Sequence, residues 1–185
     1  MEKAVAGEAD TVIINPLTAA KKLRQRYKEN DAGLFLSSIL KKYYAVVEDH
    51  SFHEEINAFC FKHKGIILIG INRNRSLGEK NFIIAHELGH YILSHPKTIS
   101  INLKRDHCLS RYHFSAMDMQ ANSFALELLM PEDRFKQYAS SDLDIDELAR
   151  QFSVSNESVL FRIKSLNIGC SPEGLPPSMK ACRSK

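Results

Sequence analysis

No apolar run in this 185-residue chain can span a bilayer: the longest, Gly65 to Ile71, is seven residues, against roughly 20 for a transmembrane helix. Residues 1–20 lack a basic start followed by an apolar block, so no secretory signal is expected. Cysteine is scarce. Cys60, Cys108, Cys170 and Cys182 sit far apart with no C-x-x-C pair, which excludes a zinc cysteine cluster and the disulfide framework of a small secreted domain. Charge of one sign is also in short supply. The 25 Lys and Arg against 22 Asp and Glu leave a net charge of +3, too small an excess to demand a nucleic-acid partner. There is no repeat period and no low-complexity tract. What is present, 44% hydrophobic and 25% charged residues, is ordinary for a globular chain and too apolar for a disordered one. A single-domain cytoplasmic protein is the expectation.

Residues 1–15 read as an N-terminal arm. Helical spacing predicts a first helix from Pro16 to about Glu29, with Pro16 suited to a first turn. Its basic residues Lys21, Lys22, Arg24, Arg26 and Lys28 read as a solvated face. Leu36, Ile39, Leu40 and Tyr43 predict a second short helix ending near Tyr44. A short strand at Ala45–Val47 follows, then a hairpin in which Ile56–Lys62 and Ile66–Asn72 flank His63-Lys64-Gly65, the second arm reading as a central strand. A long helix should start at Ser76-Leu77-Gly78-Glu79, which has the capping-box form, and run to Ser94 or His95 before Pro96 stops it. Further helices are expected over Ser115–Met130, after Pro131, and over Leu143–Phe152 and Asn156–Leu166. Residues 169–185, rich in Ser, Pro, Gly and Lys, read as a flexible tail.

The long helix carries His86-Glu87-Leu88-Gly89-His90, an H-E-x-x-H motif. Residues four apart differ by about 40° around a helix, so both imidazoles share a face and can share one ion. Neutral imidazole suits Zn²⁺, and catalytic zinc sites use three protein ligands plus a water. Glu87 is placed to act on that water as general base. With 8 His and 13 Glu in the chain, chance gives about 0.02 such matches. Gly89 inside the helix costs about 1 kcal/mol relative to Ala, which suggests that another backbone approaches there. The third ligand is open among Asp118, a loop histidine such as His107 or His113, and no protein group. Leu93 and Pro96 exclude the metzincin pattern, and His95, about 140° from His90 on a continuing helix, would point away and reads as a helix-end or buried structural histidine. Helical spacing favours Asp118, with Asn122 one turn on to hold a ligand histidine.

The runs Phe82-Ile83-Ile84-Ala85-His86-Glu87-Leu88-Gly89-His90-Tyr91 and Ala121-Asn122-Ser123-Phe124-Ala125-Leu126-Glu127-Leu128-Leu129-Met130-Pro131 resemble the ImmA/IrrE family of zinc metallo-endopeptidases. So do Ile69-Gly70-Ile71-Asn72 and the late segment Leu148-Ala149…Val154-Ser155…Val159…Arg162…Leu166, and the similarity covers roughly residues 16 to 168. The resemblance implies an α+β, zincin-like metalloprotease domain over 16–168: a small β-sheet, an HExxH helix, a second ligand helix and a C-terminal helix-turn-helix-like pair. It also implies a cytoplasmic endopeptidase whose substrate is a helix-turn-helix repressor of a mobile element or stress response. One departure stands out. The family usually has Glu four residues before the Asn of its Ala-Asn pair, where this chain has Asp118, one methylene shorter.

Arg105-Asp106-His107-Cys108 and Tyr112-His113 read first as an exposed polar loop. If the loop supplies an oxyanion donor, Tyr112 and His113 are the candidates because they are nearest Asp118. Glu127 reads as a solvent or salt-bridge residue. The segment Glu147–Leu166 has helix-turn-helix spacing with Ala149, Val154 and Val159 packed. Its second helix offers Asn156, Glu157, Arg162 and Lys164 outward, a poor set for reading DNA. A helical hairpin packed on the catalytic domain is expected, with no DNA or membrane partner.

Two functions are carried forward. In the first, His86, His90 and Asp118 hold Zn²⁺, Glu87 activates water, and the Ile66–Asn72 strand lies at the active-site edge to pair with an extended substrate. In the second, the fold survives as a non-catalytic regulator that binds protein or DNA.

Overall fold

The computed structural model describes residues 14–27, 32–53, 56–95, 99–103, 115–141 and 143–168. The elements run α1 (Pro16–Tyr27), α2 (Ala32–Lys42), β1 (Ala45–His50), β2 (Ile56–His63), β3 (Ile66–Asn72), α3 (Leu77–Ile92), β4 (Ile99–Leu103), α4 (Ala116–Leu129), α5 (Glu132–Ala139), α6 (Ile145–Phe152) and α7 (Asn156–Ser165). The fold is mixed α+β. Its four strands form one sheet in the order β1-β3-β2-β4, with β1 parallel to β3 and the other pairs antiparallel.

The hairpin turns on two residues. Lys64 and Gly65 both have positive φ, 46° and 83°, which matches the right-handed twist of the flanking strands. That turn sets His63 opposite Ile66 and puts Cys60 beside Ile69 and Lys62 beside Ile67. Ile67, Ile69 and Ile71 alternate onto one face, are buried, and form the floor on which α3 lies. β3 is hydrogen-bonded on both sides, the central place that its apolar run reads for, so it is not the substrate-pairing edge that the sequence also suggested; among the described residues β1 and β4 are the edges. The β4 strand was not anticipated, although Ile99-Ser100-Ile101-Asn102-Leu103 alternates with the period of two that a strand requires.

The two helices that carry the candidate site residues both begin in capping boxes. Ser76 and Glu79 start α3, and Ser115 and Asp118 start α4. The two helices press together at Gly89, where an added Cβ would lie 3.0 Å from the Phe124 ring and 3.3 Å from the backbone of Ala121. This is the close approach expected at Gly89. At the other end α3 stops earlier than expected, at Ile92. Ser94 takes φ 57°, its N–H bonds the Tyr91 carbonyl and the His95 N–H bonds the His90 carbonyl. This is a Schellman stop, and it turns His95 back over the last helical turn.

The α6–α7 pair docks beside the start of α3. Asn81 donates to the Ser153 carbonyl at 2.7 Å, and a Cβ on Gly78 would meet the Val154 backbone. Ala149, Val154 and Val159 are buried, as the helix-turn-helix spacing requires. Two residues depart from the sequence reading. Arg162, placed outward, is 3% exposed and pairs with Glu127, itself 2% exposed. Arg24, placed on a solvated face, donates to the Leu128 carbonyl, and burial lowers its pKa from the usual arginine value.

The pair ties α7 to α4. Arg162→Ala should leave Glu127 buried without its counter-charge and cost about 3–5 kcal/mol in urea unfolding. A loss below about 1 kcal/mol would contradict the burial described for this pair.

Candidate metal centre

His86 and His90 stand one turn apart on the buried face of α3, with 8% and 6% of their surface exposed. Asp118 comes from the first turn of α4. One ligand atom from each lies within 4.8 Å of the other two, so the group can hold a metal ion. The separations are 3.1 Å between the two Nε2 atoms and 3.3 Å from His90 Nε2 to Asp118 Oδ1. Two ligands at about 2.0–2.1 Å from one tetrahedral ion lie about 3.3 Å apart, so the spacing fits a divalent cation.

Proton placement supports the same fit. Asn122 Oδ1, which only accepts, lies 2.8 Å from His86 Nδ1, so His86 carries its proton there and Nε2 keeps a lone pair. A second chain does this for His90. His95 Nε2 donates to Gln120 Oε1 at 2.9 Å, which leaves His95 Nδ1 as acceptor for the His90 Nδ1 proton at 2.8 Å. Both Nε2 lone pairs therefore face each other at 3.1 Å, an arrangement that a cation between them stabilises.

Asp118 divides its oxygens. Oδ2 closes the capping box, accepting from the Ser115 N–H at 3.2 Å and the Ser115 hydroxyl at 2.8 Å, while Oδ1 turns to His90. The tight α3–α4 contact at Gly89 brings this shorter carboxylate within reach.

Glu87 is 2% exposed. The Cys60 thiol on β2 donates to its carboxylate, and burial together with that carboxylate pushes the thiol pKa up to about 12. Cys60 is therefore a neutral donor near neutral pH and not a thiolate ligand. Glu87 and His90 open onto a cleft of about 420 Å³ whose lining includes Tyr43, Cys60, Lys62, Ile67 and Tyr91.

The structure brings His86, Glu87, His90, Asp118 and Asn122 together. Tyr112 and His113, like His107 and Cys108, lie outside the described residues. Sequence reasoning missed Gln120 and Cys60. His95 is the helix-end, structural histidine that the sequence suggested, but it does not point away: the left-handed Ser94 turns it onto His90.

With this geometry in hand, the chain belongs to the IrrE N-terminal-like domain family (peptidase M78), whose pattern matches residues 11–164. A protein described as uncharacterized immunity region protein 2, from Bacillus phage phi105, is 32% identical over 115 residues, covering 62% of this chain and 69% of its own. Among solved structures, a Mycobacterium tuberculosis transcriptional regulator superposes with a TM-score of 0.54 at 18% identity. The match covers 83% of this chain and 48% of the regulator, so this chain spans about half of that protein, and the likeness shows the fold alone.

Two outcomes follow. In a zinc titration, His95→Ala should weaken binding roughly 10- to 100-fold, as loss of a ligand's outer partner does, and Asp118→Ala should weaken it more; unchanged affinity for both would remove them from the site. In metal-free protein at pH 8, iodoacetamide should label Cys60 roughly a hundredfold more slowly than an unperturbed thiol. Peptide mass spectrometry reads the rate, and labelling at the ordinary rate would contradict the hydrogen bond to Glu87.

Proposed function

We propose that the protein is a zinc-dependent endopeptidase that cleaves a cytoplasmic regulatory protein, a helix-turn-helix transcriptional repressor. The observation that carries this reading is the pairing of a His86–His90–Asp118 group able to hold an ion with a buried carboxylate, Glu87, on the same helix. Membership of a peptidase family and likeness to a phage immunity-region protein support it. Among the described residues, no helix is long and apolar enough to cross a membrane.

In this reading His86, His90 and Asp118 are the zinc ligands, with Asn122 and His95 fixing the two rings. Zinc, when bound, supplies Lewis-acid polarisation and lowers the pKa of water. Glu87 takes a proton from the attacking water as its oxygen adds to the peptide carbonyl carbon. Glu87 then passes that proton to the amine nitrogen as the C–N bond breaks. The Cys60 S–H donates to the Glu87 carboxylate and so helps to orient it. The outer edge of β4, the strand that follows α3, is a place where an extended peptide can add by backbone pairing.

The regulator reading retains one supporting observation, Asp118 where the family carries the longer Glu. The α6–α7 pair supports it less, because Arg162 is committed to Glu127 and Asn156 to Asp146.

One experiment separates the two. Zinc-loaded protein is mixed with a candidate helix-turn-helix repressor, and Glu87→Gln is run alongside. The peptidase reading expects cleavage by the parent and about one zinc per chain in both proteins. The variant should cut at least roughly 10²-fold more slowly. Comparable cutting by Glu87→Gln would sink the mechanism, and no cutting by the parent would favour the regulator.

A further inference from the structure

The cleft beside Glu87 and His90 has a chemical bias that the metal group does not explain. It lies between the C-terminal half of α3 and the hairpin end of the sheet, and few of its lining side chains are aliphatic, Ile67 and Ile92 among them. Lys62 contributes a cation, its Nζ held 4.6 Å from the centre of the Tyr91 ring. Tyr43 packs edge-on against Tyr91 at 5.7 Å, and burial raises its pKa, which keeps the phenol a neutral donor. His95 and Ser94 complete the polar side.

Charge at this end of the sheet has the same sign. Lys41 and Lys42 end α2 just before β1, and Lys64 lies in the hairpin turn. The register that sets Ala45 beside Ile67 puts all of these at one end of the sheet. The acidic residues of β1, Glu48 and Asp49, pair with Gly70 and Ile71 toward the opposite end. Among the described residues, the cleft's carboxylate is that of Glu87, which already accepts from Cys60.

We propose that this cleft is a specificity pocket for an acidic side chain, Asp or Glu, of the peptide the protein binds. Lys62 is its counter-charge, and Tyr43 and Tyr91 form its walls. A carboxylate entering here meets a cation and neutral hydroxyl donors, whereas a Lys or Arg side chain meets Lys62 and leaves both cations unpaired. The inference rests on the peptidase reading in placing the pocket next to the scissile bond; the binding preference can be measured apart from turnover.

The test uses fluorescein-labelled dodecapeptides that differ at one fixed position, Asp, Glu, Ala, Leu or Lys, within otherwise mixed sequence. Anisotropy is measured with full-length, zinc-loaded Glu87→Gln protein, alone and combined with Lys62→Glu or Lys62→Arg. The expected result is roughly tenfold tighter binding of the Asp and Glu pools than of the Lys pool, kept by Lys62→Arg and reversed by Lys62→Glu. Equal binding of all pools, tightest binding of the Leu pool, or an acidic preference untouched by Lys62→Glu would overturn the pocket. Cleavage of the same pools by the parent protein is read separately by mass spectrometry. Selective binding without any cutting would keep the pocket and count against the peptidase reading.

Discussion

Gly89 lacks a Cβ, and that absence lets α4 lie with the backbone of Ala121 against α3. The site depends on this contact. It brings Asp118, on the first turn of α4, to 3.3 Å from His90, and Asn122, one turn later, to 2.8 Å from His86. It also explains how a carboxylate one methylene shorter than the family's usual Glu can reach the same group. A larger residue at position 89 would push α4 away and separate the carboxylate from the histidines together.

Around that contact the protein spends its polar groups on orientation. Asn122 and the His95–Gln120 chain each take an imidazole proton and leave a lone pair facing inward. Cys60 does the corresponding work for Glu87. Each partner comes from a different segment: α4, the turn after α3, and β2. The buried Glu127–Arg162 pair then fastens α7 to the same ligand-bearing helix, so the C-terminal helices support the geometry of the site through α4.

Much of the fold was legible because its signals are local. The capping box at Ser76, the glycine of the hairpin turn and Pro131 at the start of α5 act within a few residues, and the helices and hairpin fell close to where these placed them. Spacing alone put His86 and His90 on one face and Asp118 and Asn122 on another. Other features depend on contacts distant in sequence. The burial of Arg162 required Glu127, 35 residues earlier, and nothing in α7 by itself distinguishes that arginine from a solvated one. The parallel pairing of β1 with β3, which passes over β2 in sequence, had no signal in either strand alone. The contact of the helix-end His95 with His90 was hidden for a smaller reason: a serine took the left-handed conformation that more often belongs to glycine.

The proposed centre holds one zinc ion on these three side chains and no others. The sharpest test is diffraction from crystals grown with one equivalent of zinc, recorded on both sides of the zinc absorption edge. The expected result is a single anomalous peak about 2.0–2.2 Å from His86 Nε2, His90 Nε2 and Asp118 Oδ1. A peak that omits Asp118, or one coordinated by residues elsewhere in the chain, would contradict it.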